Sequence, residues 1–117
     1  MHEQLEALLE IQDLKTQRRE LMEAPEQRQV EEEVFNVSIA EALAQLDQKI
    51  TEMEDALDPQ VRNRYRRLAG RGGRAVVPVI RGTCYGCFVS IPTAVASERN
   101  QELRYCDNCG RFLYLTD

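Results

Sequence analysis

The sequence predicts an α+β chain: an N-terminal antiparallel helical (coiled-coil) hairpin followed by a small C-terminal ribbon built on four cysteines. Three observations lead there. Apolar residues recur at 4-3 spacing from Ile39 to Leu57, prolines punctuate the helical stretches, and two C-x2-C pairs stand eighteen residues apart near the end. The composition agrees, since only 6% of residues are aromatic and Trp is absent, which suits long helices better than a thick core.

Taken in order, residues 3–23 read as an amphipathic helix, with Ala7, Ile11, Leu14 and Leu21 on one stripe and Leu8 and Met22 beside it. Ala24-Pro25-Glu26 ends it, because proline lacks the N–H a continuing helix needs yet fits the first turn of the next. A second helix is expected from about Pro25 to Leu57. Its seam of Ile39, Leu43, Leu46, Ile50, Met53 and Leu57 has the period that lets two helices interlock. Val30, Val34 and Val37 fall out of register with that seam, which implies a local stutter. A turn at 24–25 sets Ile50, Met53 and Leu57 beyond the end of the first helix. They then need cover from the ribbon, from the next helix or from a second copy, so a homodimer through these three residues is one expectation.

Asp58-Pro59 is a stop and restart, with Asp58 as N-cap and Pro59 at the first position of a short third helix. Val61, Tyr65 and Leu68 share one stripe of it. Gly70-Arg71-Gly72-Gly73 ends it and marks the boundary between two modules, 1–70 and 71–117. Beyond the hinge, Ala75–Ile80 is short and β-branched, and Pro78 points to an edge strand. Arg111–Leu115 is a second strand, and residues 91–99 are expected to hold a short helical turn.

Charge is divided along the chain. Residues 1–58 carry a net of −11 and residues 59–117 a net of +6, which together give the overall −5. Such a split suggests two faces with different partners, or two modules that attract each other. No stretch approaches the roughly 18 apolar residues of a membrane span, and the start has no export signal, so a cytoplasmic location without membrane insertion is expected.

In that compartment thiols stay reduced, and paired cysteines favour metal over disulfide. Cys84-Tyr85-Gly86-Cys87 and Cys106-Asp107-Asn108-Cys109 fit the spacing rule for a zinc ribbon. A two-residue gap lets one tight turn offer two sulfurs, and two such turns complete a tetrahedron around one structural Zn²⁺. Gly86 and Gly110 are expected to supply unusual backbone angles, and Arg104 or Arg111 to offset the charge of four thiolates. A module of this size cannot hold together on apolar burial alone, so the metal belongs to the fold. Rubredoxin-like iron and a redox dithiol are the rival uses of the same cysteines. Four protein sulfurs leave no open position for catalytic water. His2 is the only histidine, no phosphate-binding glycine loop is present, and no enzyme activity is expected.

The second candidate site is the arginine stripe of Arg62, Arg64, Arg66, Arg67, Arg71, Arg74 and Arg81. Arginine pairs phosphate bidentately, so nucleic acid is a candidate partner, with Tyr85 and Phe88 available for stacking. A solvated helix face, or a charge complement to the acidic helices, explains the same residues. Glu31-Glu32-Glu33, with Glu23 and Glu26, forms an acidic hairpin tip best read as ordinary helix solvation.

Several motifs together resemble the bacterial C4-type zinc-ribbon family with an N-terminal coiled-coil hairpin. They are Tyr65-x-x-Leu68, Gly73-x-Ala75-Val76-Val77, Cys84-x-Gly86-Cys87, Ile91-Pro92 and Cys106-x-x-Cys109-Gly110-Arg111-x-Leu113-Tyr114. The resemblance covers roughly residues 61–115, and the hairpin here is shorter than is usual in that family. It implies that the four cysteines hold the metal and that the chain is a non-enzymatic adaptor. The partners it implies are an alternative sigma factor, flagellar or secretion components, or RNA. A weaker resemblance links hairpin and Cys₄ finger to small regulators that enter the RNA polymerase secondary channel.

Overall fold

The structure, a computed structural model, describes residues 1–23 and 39–116. The break at Pro25, the start of the second helix, the valine stutter and Glu26 with Glu31–Glu33 lie outside the described residues. Helices come first and a curled four-strand sheet follows, an α+β arrangement. In chain order the elements are α1 (Glu3–Met22), α2 (Ile39–Ala56), α3 (Pro59–Gly70), β1 (Val76–Ile80), β2 (Thr83–Cys84), α4 (Thr93–Ala96), β3 (Arg104–Tyr105) and β4 (Phe112–Leu115). The chain divides into two compact units, Glu10–Ala56 on one side and Met1–Leu9 with Leu57–Asp117 on the other.

Within the helical unit, Ile39 and Ile50 are buried, and Leu43, Leu46 and Met53 are half-buried. The 4-3 seam is therefore the sheltered side of α2. On α1 the buried residues are Leu5, Leu8 and Ile11, while Met22 is exposed. Lys15 Nζ stands 3.3 Å from Glu54 and Arg18 Nε 2.5 Å from Asp47, so α1 and α2 run in opposite directions. A turn at 24–25 would have set Val34 and Glu31 against those two basic residues instead. The register is longer than the sequence suggested, and Ile50 and Leu57 are buried within the single chain. Met53, the third residue of that stretch, is half-buried.

In the second unit, α3 starts as its sequence implies, with Asp58 at the N-cap and Pro59 at the first position. The cap works through backbone rather than side chain: the Asp58 carbonyl accepts from the Arg62 N–H, and the Asp58 N–H donates to Gln4 Oε1. Tyr65 and Leu68 are buried. The sheet has the order β2-β1-β4-β3, with β1 and β4 parallel at the centre and the two-residue strands β2 and β3 antiparallel at the edges. Val77, Val79, Leu113 and Leu115 alternate onto one face and form a core with Ile91 and the cysteines. Val76 and Phe112 are buried on the other face, and a cleft lined by both Val61 and Phe112 places α3 there.

The edge position expected for β1 is wrong, and the reason is local. The Val79 carbonyl faces β4, accepting from the Thr116 N–H, whereas the Pro78 carbonyl faces the other way and accepts from Tyr85. The N–H that Pro78 lacks would therefore have pointed toward β2, just where that two-residue ladder ends at Val79↔Cys84. The central β1–β4 ladder needs nothing from it. Between β1 and β2, Arg81 (φ 53°) and Gly82 (φ 73°) make a two-residue turn with both angles positive, the form that matches strand twist. The short turn expected within 91–99 is α4, four residues long. Among the described residues no helix is long and apolar enough to cross a membrane.

Candidate metal centre

Each cysteine pair sits on a tight loop that begins at or just after an edge strand. The loops share one hydrogen-bond pattern. The Cys84 N–H donates to the Val89 carbonyl and the Cys84 carbonyl accepts from Phe88; likewise the Cys106 N–H donates to Arg111 and the Cys106 carbonyl accepts from Gly110. The fifth residue of each loop, Phe88 (φ 62°) or Gly110 (φ 78°), turns back in the left-handed region. Glycine fits there freely and a phenylalanine is strained. So Gly110 supplies the expected backbone angle and Gly86 does not, although the Gly86 N–H points at the Cys84 sulfur. Gly86 is needed for space: a Cβ there would meet Arg111 Cδ at 3.0 Å, Val77 Cγ2 at 3.3 Å and Cys109 Sγ at 3.4 Å.

The loops bring all four sulfurs within 4.8 Å of one another. Across the loops, Cys84 Sγ lies 3.9 Å from Cys109 Sγ, and Cys87 Sγ 3.7 Å from Cys106 Sγ. A tetrahedron of sulfurs each about 2.3 Å from one ion has edges of about 3.8 Å. A disulfide would require about 2.05 Å. The spacing fits a single tetrahedral cation, and the four thiols are free.

Their electrostatics differ with position. Burial pushes the Cys84 thiol up to about 12, against the Gly86 N–H that points at its sulfur from 3.4 Å. Burial also raises Cys106. Cys87, half-buried, is lowered to about 6, chiefly by the Asn108 side chain and then by the Val89 N–H. Asn108 escaped the sequence reading, although its place inside the second C-x2-C pair puts a short amide donor beside the sulfurs.

Of the two arginines expected to offset thiolate charge, Arg111 brings its side-chain stem to the cysteine loops, with its guanidinium turned to the backbone near Gly73 and Arg74. Its Cδ lies over Gly86 next to Cys109 Sγ, and its Nε is anchored on the Arg74 carbonyl at 2.9 Å. Arg104 does not: it pairs with Glu98 at 2.7 Å and Glu102 at 2.8 Å, away from the sulfurs. The arginine stripe divides. Arg64 and Arg71 donate to the carbonyls of Gly110 (3.2 Å) and Cys109 (2.7 Å), and Arg67 stands between them on the same side of α3. At about 100° per residue, Arg62 and Arg66 project from other sides of the helix. Arg81 occupies the β1–β2 turn. The stacking candidates Tyr85 and Phe88 are exposed, with ring centroids 5.4 Å apart.

With this geometry in view, the comparison with known structures gives a short answer. The chain is similar to two solved proteins. CT398 from Chlamydia trachomatis aligns over 65% of this chain and 34% of its own, at 28% identity and a TM-score of 0.52. The HP0958 protein from Helicobacter pylori aligns over 73% of this chain and 36% of its own, at 26% identity and a TM-score of 0.56. The chain spans about a third of the length of either. No protein-family model matches the chain, and no curated relative does.

Proposed function

We propose that the chain is a non-enzymatic zinc-binding adaptor or regulator of the C4-type zinc-ribbon kind, acting in transcription or RNA handling. Cys84, Cys87, Cys106 and Cys109 hold one structural Zn²⁺, and the sheet they close is a zinc ribbon. The helices form an antiparallel coiled-coil hairpin that engages a protein in the cytoplasm, such as a sigma factor, RNA polymerase or a secretion component. The single observation that carries this reading is the convergence of four sulfurs at tetrahedral spacing. Saturation of the ion by four protein ligands argues against catalysis at it.

The test is metal analysis of protein purified without chelator, followed by affinity capture from the native cell with and without chelator. One zinc per chain and a protein partner lost on chelation support the adaptor. A metal-free but folded chain ends it. The alternative, direct binding of nucleic acid through the arginines, draws support from Arg64, Arg67 and Arg71 sharing one side of α3. Salt titration separates the two, since phosphate contacts make log affinity fall steeply with log salt.

A further inference from the structure

Two clefts meet over the arginines of α3, both within the unit that carries the sheet. The larger, about 650 Å³, has Gln60, Asn63, Arg64, Arg67, Leu103 and Tyr105 in its walls. The smaller, about 360 Å³, is lined by Arg64, Arg67, Arg71 and the Cys109–Gly110 backbone. Arg64 and Arg67 belong to both, and neither wall contains a carboxylate. The larger cleft falls in the size range of small-molecule sites.

The guanidiniums are held by neutral groups. Arg64 donates to the Gly110 carbonyl and lies 3.7 Å over the half-exposed ring of Tyr105. Arg71 donates to the Cys109 carbonyl. Arg67 has no hydrogen bond or ion pair among the described residues. Three like charges along one helix face, with none balanced by a carboxylate, leave a concave positive site in need of an anion. Neutralising the sulfur cluster next door accounts for Arg64 and Arg71, which grip its loop. It leaves Arg67 without a task.

We propose that these clefts bind one nucleotide unit. The phosphate sits on Arg67 between Arg64 and Arg71. The base lies in the larger cleft against the Tyr105–Arg64 stack and Leu103, with its edge read by the amides of Gln60 and Asn63. A planar guanidinium stacked on an aromatic ring is a platform for a base as well as a charge for a phosphate. The inference deepens the nucleic-acid alternative by confining it to one pocket; the adaptor reading is independent of it.

The test uses the zinc-loaded full chain and two fluorescent probes, labelled adenosine monophosphate and a labelled single-stranded RNA hexamer, at low salt. Arg67→Gln weakens binding by roughly tenfold to a hundredfold, the loss expected for a charged hydrogen-bonding pair. Arg19→Gln, which removes the same charge from exposed α1 in the other unit, changes it less than about twofold, and neither substitution moves the melting temperature by more than about 2 °C. Binding of both probes shows that a free nucleotide suffices; binding of the hexamer alone assigns the site to a nucleotide within a strand. The proposal is overturned if neither probe binds. It is equally overturned if Arg67→Gln and Arg19→Gln weaken binding alike, or if a glutamate-rich peptide competes as well as the nucleotide. Loss of the adaptor reading would appear separately, in the chelator-dependent capture.

Discussion

Replacing Cys106 by serine isolates the contribution of one sulfur to the fold. Cys106 is 2% exposed, and its sulfur stands 3.7 Å from Cys87 Sγ at the centre of the core formed by Val77, Val79, Leu113 and Leu115. Structural zinc contributes roughly 10–16 kcal/mol of apparent binding energy, so one ligand of four accounts for about 3–4 kcal/mol. A buried hydroxyl without a partner adds a penalty of about 1–3 kcal/mol. At about 4–8 °C per kcal/mol for a domain of this size, Cys106→Ser lowers the melting temperature by at least about 10 °C. The assay is a circular-dichroism melt of the zinc-loaded protein, run beside release of zinc to a chromophoric chelator. In excess chelator the variant and the parent should melt together, because both have lost the ion. A variant that keeps its zinc and melts within about 2 °C of the parent refutes the claim that this sulfur helps hold the sheet together.

Three further outcomes follow from the same loops. Zinc uptake by the metal-free chain at pH 7.5 should release at least two protons to an indicator dye, because burial keeps Cys84 and Cys106 protonated at that pH while Cys87, near 6, is already largely ionised. Affinity therefore falls as pH falls, and release of fewer than two protons contradicts the assignment. Gly86→Ala should cost about 1–3 kcal/mol and weaken zinc retention, since the new methyl presses on Arg111, Val77 and Cys109 Sγ; an unchanged melt rules out close packing there. Phe88 and Gly110 occupy equivalent left-handed positions, so Gly110→Ala should cost about 1–2 kcal/mol while Phe88→Gly costs nothing or stabilises slightly. A clear loss of stability in Phe88→Gly would show that its ring contributes more than its backbone strain takes away.

What could be read from sequence depended on how local the signal was. The C-x2-C pairs, the 4-3 seam of α2 and the Asp58-Pro59 restart are each decided within a turn or two, and each reappears in the structure. The placement of β1 was not local. Whether Pro78 is tolerated depends on which neighbour its missing N–H would face, and that depends on a parallel partner more than thirty residues away. The edge strands β2 and β3 are two residues long and carry no periodicity to detect. Asn100 was invisible for a similar reason. Buried and left-handed, it donates from Nδ2 to the Leu115 carbonyl at 2.9 Å and accepts the Leu115 N–H at 2.8 Å, standing in for a strand beside β4. Nothing in its neighbours announces that pairing. The arginine stripe was legible as charge but not as an arrangement, because only the packing of α3 on the sheet sets Arg64, Arg67 and Arg71 around one cleft.

The topology also implies that an ion held by the four sulfurs and the sheet would depend on each other. Strands in a flat sheet lie about 4.8 Å apart, so the outer strands of four would be about 14 Å from each other. Here Cys84 belongs to one outer strand and Cys106 directly follows the other, yet sulfurs from the two loops approach to 3.7–3.9 Å. The sheet must curl until its edges nearly meet. Two-residue edges have too few hydrogen bonds to enforce that curl, and apolar packing over so few residues is marginal. A cation bound to both pairs would supply the missing closure. On this reasoning an ion held by sulfurs of both loops would tie each loop to the opposite one, so losing either cysteine pair would free both edges together.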